Sequence, residues 1–477
     1  MSVTYSQFAC IGAGFSGVGL GAQLKRQYNI TDIRIFERES DLGGTWQINR
    51  YPGAGCDVPS ILYSYSFEPN SDWSSILPQR AELQLYMRQV ATKYNLVDKI
   101  SFSTSVRKCE WIEDNGCWRL HLYNEQTGAS STHESQFLFG GTGLLIEPRQ
   151  LDVPGIDTFK GTVVHTARWR PDVDLQNKKV VVFGNGCSAT QVIPAIIDQT
   201  ESITQVARSK HWGSSGWRAI VELEYPSYLD NRLGAFCRRR QQKIAEAHIR
   251  DAAPERYRDL LKPDFEIGCK RRIYDSNYFK TLHSDKMTLI HERVKEIVPE
   301  GIRMQDGSVT EADILVLANG FKTNQFLVGI DVIGRNGESL QDHWRDFGGC
   351  EAYNSSAMSG FPNFFTIAGP NSATGHTSAI IAIENTINFA LRMIKPVLDG
   401  QATSVEVKRV AEEEYVDSIR EGLKSTVWES GGCQSWYVQE KGETGEKWNA
   451  MTYPYSQLRF WYRSRFPTWD DWTLSKA

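Results

Sequence analysis

Two apolar segments, each followed by a glycine-rich turn and a helical pattern, constrain the fold of this 477-residue chain most strongly. In the first, "FACIGAGFSGVGLGAQLKRQ", Gly12 permits a tight turn, Gly14 lets the backbone approach a pyrophosphate, and Gly17 lets strand and helix pack closely. The next apolar segment, "DIRIFE", ends in Glu37, whose carboxylate can accept hydrogen bonds from both ribose hydroxyls. A carboxylate there suits an unphosphorylated ribose, so we expect the first unit to bind FAD.

The second unit, "KKVVVFGNGCSATQVIPAI", repeats the pattern with Gly184, Gly186 and Ala189. Alanine is tolerated at the third position because only close packing is required there. No acid closes the following segment, "ITQVARSK"; Arg208 and Lys210 stand in its place. A guanidinium can bind a 2′-phosphate in bidentate fashion, so we expect this unit to bind NADPH. The alternative is that both side chains are solvated surface charges.

Strand–helix alternation in both halves predicts an α/β fold with two doubly wound dinucleotide-binding (Rossmann-like) domains. We expect the FAD-binding domain in two pieces, residues 1–160 and 325–477. The NADPH-binding domain, 165–325, would be inserted between them. Within it, a charged helical pattern predicts a small solvated helical subdomain at about 217–265, including a basic run, 238–240, on its wet face.

Charge, apolar runs and cysteine spacing exclude several classes of protein. The formal net charge of −4 does not suggest a nucleic-acid partner. The N-terminus lacks the pattern of a signal peptide and no apolar run is long enough to span a bilayer, so we expect no membrane partner and a cytoplasmic location. Nine cysteines without a CxxC pair indicate neither a disulfide framework nor a metal site. We expect a monomer or a weak homo-oligomer.

Four segments resemble the flavin-containing monooxygenases, and within them the Baeyer–Villiger monooxygenases of fungal type. "FERESDLGGTW" resembles the second FAD segment of the family, and "RYPGAGCDVPSILYSYSF" the stretch in which an aspartate, here Asp57, follows a cysteine. "DILVLANGFKTN" is similar to the late strand-and-glycine segment, here with Asn319 and Gly320. "GFPNFFTIAGPNSATGHTS" resembles the segment that closes over the flavin ring. The resemblance covers nearly the whole chain.

The segment "FKGTVVHTARW" resembles the Baeyer–Villiger fingerprint Phe-x-Gly-x-x-x-His-x-x-x-Trp. Related N- and S-oxygenases usually carry Tyr or Phe where Trp169 stands. The resemblance implies that His165 lies in the linker between the FAD and NADPH domains, where it would serve hinge motion more than chemistry. A packed linker histidine is compatible with that role.

The pair Lys270-Arg271 resembles the Lys-Arg pair of the family. The resemblance implies that Arg271 is the catalytic arginine and that Lys270 contacts the nicotinamide nucleotide phosphate. The neighbouring Arg272 leaves open which arginine enters the site, and a dibasic pair on a surface loop is the alternative. An always-charged guanidinium can stabilise an anionic oxygen, and Asp57 could hold it in place as a second catalytic residue.

The resemblance also implies the reaction. NADPH reduces FAD, O₂ adds to give a C4a-peroxyflavin, and this nucleophile attacks a small-molecule ketone. One carbon migrates, and an ester or lactone leaves. Two alternatives are an N- or S-oxygenating flavin monooxygenase, which needs no anion-stabilising arginine, and a flavoprotein scaffold that no longer oxygenates.

The aromatic C-terminal segment, similar to that of fungal members, supplies a further candidate. By analogy, Trp436 belongs to a loop that folds over NADP⁺, and core packing explains such a tryptophan equally well. The residues expected to contact the cofactors are Gly12, Gly14, Gly17, Glu37, Arg38, Gly44, Thr45, Trp46, Asp57, Gly184, Gly186, Ser188, Ala189, Arg208, Lys210, Lys270, Asn319, Gly320 and Trp436.

Overall fold

The structure, a computed structural model, describes residues 3–214, 221–373, 375, 377–441 and 446–476. The strands, numbered along the chain, are β1 (Thr4–Ile11), β2 (Ile33–Phe36), β3 (Ile100–Ser101), β4 (Thr104–Ile112), β5 (Cys117–Asn124), β6 (Ser130–Gly140), β7 (Thr162–His165), β8 (Lys179–Phe183), β9 (Ser202–Val206), β10 (Gly213–Ser214), β11 (Ile273–Tyr274), β12 (Met287–Ile290), β13 (Val294–Val298), β14 (Gly301–Met304), β15 (Val309–Glu311), β16 (Ile314–Leu317), β17 (Asp331–Ile333), β18 (Phe364–Thr366), β19 (Ser404–Val407), β20 (Gln439–Lys441), β21 (Glu446–Trp448) and β22 (Trp472–Ser475). The α-helices are α1 (Phe15–Tyr28), α2 (Thr45–Ile48), α3 (Arg80–Lys93), α4 (Cys187–Ile196), α5 (Arg232–Ala252), α6 (Arg258–Leu261), α7 (Tyr278–Thr281), α8 (Leu340–Asp346), α9 (Ala379–Met393), α10 (Lys395–Leu398), α11 (Arg409–Lys424), α12 (Val427–Ser430) and α13 (Gln457–Arg465).

The first sheet is organised around β1, which pairs in parallel with β2 on one side and with β6 on the other. β3 continues the sheet beyond β2, and β18 pairs in parallel with the end of β6. The first half of the long strand β6 pairs antiparallel with β5, and β5 with β4. A parallel sheet of nucleotide-binding type and an antiparallel meander therefore share one strand.

Aromatic side chains fill the core of this sheet. Phe8 on β1 stacks on Phe137 of β6 at 4.9 Å between ring centroids, and Phe139 stacks on Phe365 of β18 at 5.8 Å. Trp118 is fully buried, and its indole N–H donates to the carbonyl of Pro362 at 2.8 Å. These contacts join residues from both ends of the sequence in one core.

The second sheet is wholly parallel, in the order β12-β9-β8-β16-β7. Its central strands read "KVVVF" and "ILVL" and are almost entirely buried, as expected for parallel strands covered on both faces. A small antiparallel sheet, β13-β14-β15, adjoins it in sequence. The parallel part of the first sheet and the parallel second sheet confirm the predicted α/β class.

The first sheet takes strands from residues 4–140 and again from 331–333 and 364–366, whereas the second lies between residues 162 and 317. This arrangement supports the proposed division into a two-piece FAD domain and an inserted NADPH domain. The boundaries themselves stay a prediction.

The helical subdomain expected at about 217–265 begins outside the described residues; within them it contains α5 and α6. The expectation that the basic run 238–240 is fully solvated is wrong for Arg238. That side chain is 2% exposed and donates to the carbonyls of Ser227 and Leu229 at 3.1 and 2.6 Å. Glu266 pairs with it at 2.5 Å, so a buried charge fixes the helix to its neighbours.

The structure corrects the expectation that the chain has no disulfide, because Cys269 and Cys433 are bonded to each other. The two residues are 164 positions apart, and only the fold brings them together. Among the residues described, none of the helices combines the length and the apolar composition needed to cross a bilayer.

Candidate active site

The first glycine turn, between β1 and α1, has no room for side chains at two of its glycines. Gly12 has φ +105°, and a β-carbon there would lie 2.6 Å from the carbonyl oxygen of Gly141. A β-carbon at Gly17 would lie 2.1 Å from the oxygen of Gly12. No side chain caps α1 and no acid occupies its first turn, so its N-terminus is suited to a phosphate.

The second FAD segment lies directly against this turn. A β-carbon at Gly44 would lie 3.1 Å from the Cα of Gly14, which places Thr45 and Trp46, the first residues of α2, beside the glycine turn. Trp46 is 8% exposed and meets the ring of Tyr63 edge to face at 5.7 Å. The two segments therefore form one wall.

Glu37 directly follows β2, at the position predicted for the ribose contact. Its carboxylate is 5% exposed and accepts hydrogen bonds from the backbone N–H groups of Ala13 and Glu39, at 2.7 and 2.9 Å. Burial raises the pKa of this carboxyl group. Each oxygen keeps a further lone pair, and the ribose contact stays a prediction. Its neighbour Arg38 donates to the carbonyl of Ile146 at 3.2 Å.

The second glycine turn, between β8 and α4, has the same design. Gly184 has φ +129°, and a β-carbon there would lie 2.2 Å from the oxygen of Ala318. Gly186 faces open space, with nothing within 4 Å of a β-carbon. Ser188 lies in the first turn of α4, and Ala189 is fully buried, as close packing requires. The uncapped end of α4, free of acids, again suits a phosphate.

The three cationic residues predicted to contact NADPH phosphates lie near one another, although Lys270 is distant in sequence from Arg208 and Lys210. Lys270 Nζ donates to the carbonyl of Lys210 at 3.5 Å, and Arg208 lies close enough to repel its charge. Burial first, and then Arg208, lower the pKa of Lys270 to about 8. Lys270 is buried, whereas Arg208 is exposed. Cations this close together suit an anion, and the phosphate contact stays a prediction beside the alternative of solvated surface charges.

This crowding predicts a pH dependence of cofactor binding. Below pH 8 Lys270 carries its proton and attracts a phosphate; as the pH rises through 8 the free enzyme loses that charge. We expect the dissociation constant of NADP⁺ to rise about tenfold between pH 8 and pH 9.5, because a bound phosphate would restore the lysine's proton affinity. Titrations by calorimetry across pH 7–9.5 measure this, with Lys270→Met as the comparison. An equally steep rise in that variant would assign the effect to another group.

Arg271 forms a bidentate ion pair with Asp57. Its Nε donates to Oδ2 at 2.8 Å and its Nη2 to Oδ1 at 2.5 Å. Asp57 raises the pKa of the guanidinium well above its usual range, so Arg271 stays charged. The pair is partly exposed, with 24% of the arginine side chain and 19% of the aspartate side chain accessible. Arg271 is thus held in orientation while still reachable.

Arg272, the other candidate arginine, turns to a different partner. Its Nη2 donates to Glu224 Oε2 at 2.5 Å, and 12% of its side chain is exposed. The structure therefore separates the two arginines, and Arg271 is the one beside Asp57.

The Asp57 segment lies between the two glycine turns. On the FAD side, Tyr63 lies within electrostatic range of both Asp57 and Arg271 and packs on Trp46. On the other side, α4 contacts the segment: Gln191 accepts from the Tyr51 hydroxyl at 2.6 Å and donates to the Gly55 carbonyl at 2.9 Å. The Asp57–Arg271 pair therefore stands between the two expected nucleotide sites.

The fingerprint forms regular structure rather than an irregular linker. His165 is the last residue of strand β7, in register with Leu317. Its Nδ1 accepts from the N–H of Ala167 at 3.0 Å, and burial lowers its pKa to about 4, so the ring is neutral. Arg168 bonds to Glu39 at 3.1 Å and ties β7 to the FAD segment. His165 therefore lies at the edge of the second sheet, and its expected role in hinge motion stays a prediction.

The late strand-and-glycine segment follows β16. Asn319 donates to the carbonyls of Arg149 and Gln150 at 3.1 Å, and Gly320, with φ +90°, faces open space. Trp436 lies close to the residues that follow this segment, because its backbone carbonyl accepts a hydrogen bond from the Thr323 hydroxyl at 3.0 Å. Its ring lies 4.2 Å from that of Tyr437 and is partly buried, so both core packing and a lid remain compatible with its position.

Sequence reasoning missed two residues near the ion pair. Tyr437 is 2% exposed and acts electrostatically on Arg271, and the thiol of Cys187 lies 3.9 Å from Asp57 Oδ2. The aromatic C-terminal segment, which resembles that of fungal members, contains Tyr437, whereas nothing local distinguished Cys187.

Comparisons with known proteins identify the family. The model of the flavin-binding monooxygenase-like family matches residues 6–329. A Baeyer-Villiger monooxygenase from Streptomyces coelicolor is 32% identical over 473 residues, covering 93% of this chain and 89% of that protein. The FAD-binding monooxygenase tazF from Aspergillus terreus is 32% identical over 489 residues, covering 94% and 86%. The solved structure of an oxidized steroid monooxygenase bound to NADP is 25% identical, with a TM-score of 0.86 over 99% of this chain and all of that one.

The two relatives and the solved structure match over most of the length of both partners. The two glycine turns with the uncapped helix ends fit dinucleotides. The chain therefore belongs to the flavin-binding monooxygenase-like family and is a flavin-dependent enzyme of its Baeyer–Villiger branch.

Proposed function

We propose that this enzyme uses FAD and NADPH to insert one oxygen atom of O₂ beside the carbonyl of a ketone, giving an ester or lactone. The observation that carries the proposal is the position of Arg271: permanently charged, partly exposed and held by Asp57 between the two nucleotide turns. When bound, reduced FAD supplies the oxygen chemistry, through the C4a-peroxyflavin implied by the family resemblance.

The residues of the chain divide the work of binding. The wall of Gly12, Gly14 and Gly44 with the N-terminus of α1 would hold the FAD pyrophosphate. Gly186 and the N-terminus of α4 would hold that of NADPH, and Arg208 with Lys270 would take its 2′-phosphate. NADPH is favoured over NADH because a guanidinium and an ammonium group near the end of β9 can pair with a 2′-phosphate, which NADH lacks.

Arg271 would supply the charge that ketone oxygenation needs. Attack on a carbonyl places negative charge on its oxygen, and a fixed guanidinium stabilises it without reorganisation. Asp57 accepts from Nε and one Nη2 hydrogen, so the remaining N–H groups of the fork can face the substrate. Oxygen transfer to an amine or sulfide has no such requirement, and this geometry favours the ketone.

Isotope labelling tests the proposal. The enzyme would be given NADPH, ¹⁸O₂ and a panel of cyclic and aryl ketones, and the products analysed by mass spectrometry. We expect one ¹⁸O atom in the ester linkage of the product, with the original carbonyl oxygen unlabelled. A parallel panel of sulfides and amines tests the alternative. Labelled sulfoxides or N-oxides, with no ester from any ketone, would assign the enzyme to the N- and S-oxygenating class.

A further inference from the structure

The disulfide Cys269–Cys433 lies beside the catalytic arginine. Cys269 is two residues before Arg271 and is 1% exposed. Cys433 is half-buried and stands four residues before Tyr437. The bond therefore joins the segment 266–271, which we name the arginine segment, to the segment 431–437, the C-terminal segment.

Neither segment belongs to a helix or strand. The arginine segment lies between the end of α6 and the two-residue strand β11, and the C-terminal segment between α12 and β20. Among the described residues, their backbone connection is one hydrogen bond, from the N–H of Glu266 to the carbonyl of Gly431 at 3.1 Å. The packing is close: a β-carbon at Gly431 would lie 2.7 Å from Cβ of Cys269. A covalent bond is therefore the strongest connection between two otherwise irregular segments.

Groups from two different segments act on the pKa of Arg271. Asp57, on the FAD-binding side, raises its pKa most, and Tyr437 of the C-terminal segment adds to this effect. The C-terminal segment is itself fastened at Trp436, whose carbonyl accepts from Thr323. Movement of the C-terminal segment would thus change the surroundings of the guanidinium, and the disulfide sets how far the two segments can separate.

We propose that the Cys269–Cys433 disulfide is a redox-sensitive tether that positions Arg271, so that its reduction by a dithiol separates NADPH consumption from ester formation. The inference rests on the proposed ketone oxygenation. Cys269 and Cys433 are positioning residues, since they act through the arginine segment and not on the substrate.

The reduction step is an ordinary thiol–disulfide exchange. A thiolate of the dithiol attacks the sulfur of Cys433, the more exposed of the two, and Cys269 leaves as a thiolate that takes up a proton. The second thiol then attacks the dithiol's own sulfur in the mixed disulfide, and Cys433 leaves and is protonated. The disulfide gains two electrons and two protons, and the dithiol is oxidised to its cyclic disulfide.

The holoenzyme tests the tether in two independent ways. Wild-type enzyme is compared before and after treatment with dithiothreitol, which is removed before the assay, and with the double variant Cys269→Ser/Cys433→Ser. The matched control is Cys237→Ser, a cysteine on α5 that takes no part in the disulfide. Free thiols are mapped by alkylation and mass spectrometry. FAD content reports folding, and ester formed per NADPH consumed reports the position of Arg271.

We expect residues 269 and 433 to be protected from alkylation until reduction. Reduction of the disulfide, or the double substitution, should lower the amount of ester formed per NADPH consumed by about tenfold, and hydrogen peroxide should be released instead. The FAD content and the rate of NADPH oxidation should stay the same. A purely stabilising bond would leave that ratio unchanged. Dithiothreitol should have no effect on the double variant and should lower the ratio for Cys237→Ser as it does for wild type.

Two results would overturn the inference: alkylation of both cysteines in the untreated folded enzyme, or a ratio that is the same before and after reduction. The failure of the proposed function looks different, because untreated wild-type enzyme would then form no ester from any ketone of the panel.

Discussion

Replacing Arg271 by alanine is expected to lower the rate of ester formation by about 100- to 1,000-fold, because a fixed positive charge is lost where negative charge develops on the carbonyl oxygen. The rate of flavin reduction by NADPH should change little. Arg271 pairs with Asp57 and does not belong to the group of cations around Lys270 that is expected to bind the phosphate of NADPH. Stopped-flow absorbance separates the two steps, with flavin reduction measured without O₂ and ester formation measured by product analysis.

Arg272→Ala is the matched comparison, because it removes a positive charge at the next residue. The side chain of Arg272 pairs with Glu224. We expect a much smaller loss of ester formation in that variant. Asp57→Asn should lie between the two, since it keeps Arg271 charged while weakening the bond that orients it. Equal losses in the Arg271 and Arg272 variants would contradict the assignment of Arg271 to the substrate.

Replacing Arg208 by alanine is expected to raise the KM for NADPH by about 10- to 100-fold, which corresponds to the loss of one or two charge-assisted hydrogen bonds to a phosphate. The KM for NADH, which lacks the 2′-phosphate, should hardly change. Steady-state assays with both dinucleotides measure this directly.

Arg303→Ala is the control, because it removes a positive charge elsewhere in the expected NADPH-binding domain. Arg303 lies on β14 and pairs with Glu296, and its substitution should leave both KM values as they are. If Arg208→Ala raised the KM for NADH as much as that for NADPH, the side chain would serve the shared part of the dinucleotide and the preference for NADPH would need another origin.

The sequence predicted the two nucleotide-binding units because their signals are local. A strand, a turn that demands positive φ at Gly12 and Gly184, and a helix without an acidic first turn follow one another within about 20 residues. The charge that follows the second strand, Glu37 in one unit and Arg208 in the other, is local in the same sense. Family and α/β class could be predicted from these segments and are confirmed, whereas the roles of single residues stay predictions.

The sequence was less informative where buried partners decide a residue's role. Arg238 belongs to a run that is typical of a solvated face, yet it is buried because Glu266 and two carbonyls surround it. His165 was expected in a linker but ends a strand, since β16, far along the chain, offers a free edge for β7. The partners of Arg238 lie outside its own helix, and the partner strand of His165 comes from a distant segment, so the local pattern predicts neither arrangement.

The sequence by itself determined the two glycine turns, the order of strands and helices around them and the charges at their ends, because backbone sterics and short-range periodicity act within a few residues. The tertiary structure alone decided which distant groups meet: Asp57 with Arg271 across 214 positions, Cys269 with Cys433 across 164, and Lys270 with Lys210 across 60. Such pairs depend on how the two sheets and the irregular segments between them pack. Their free energy comes from burial and geometry that arise only when the whole chain has folded.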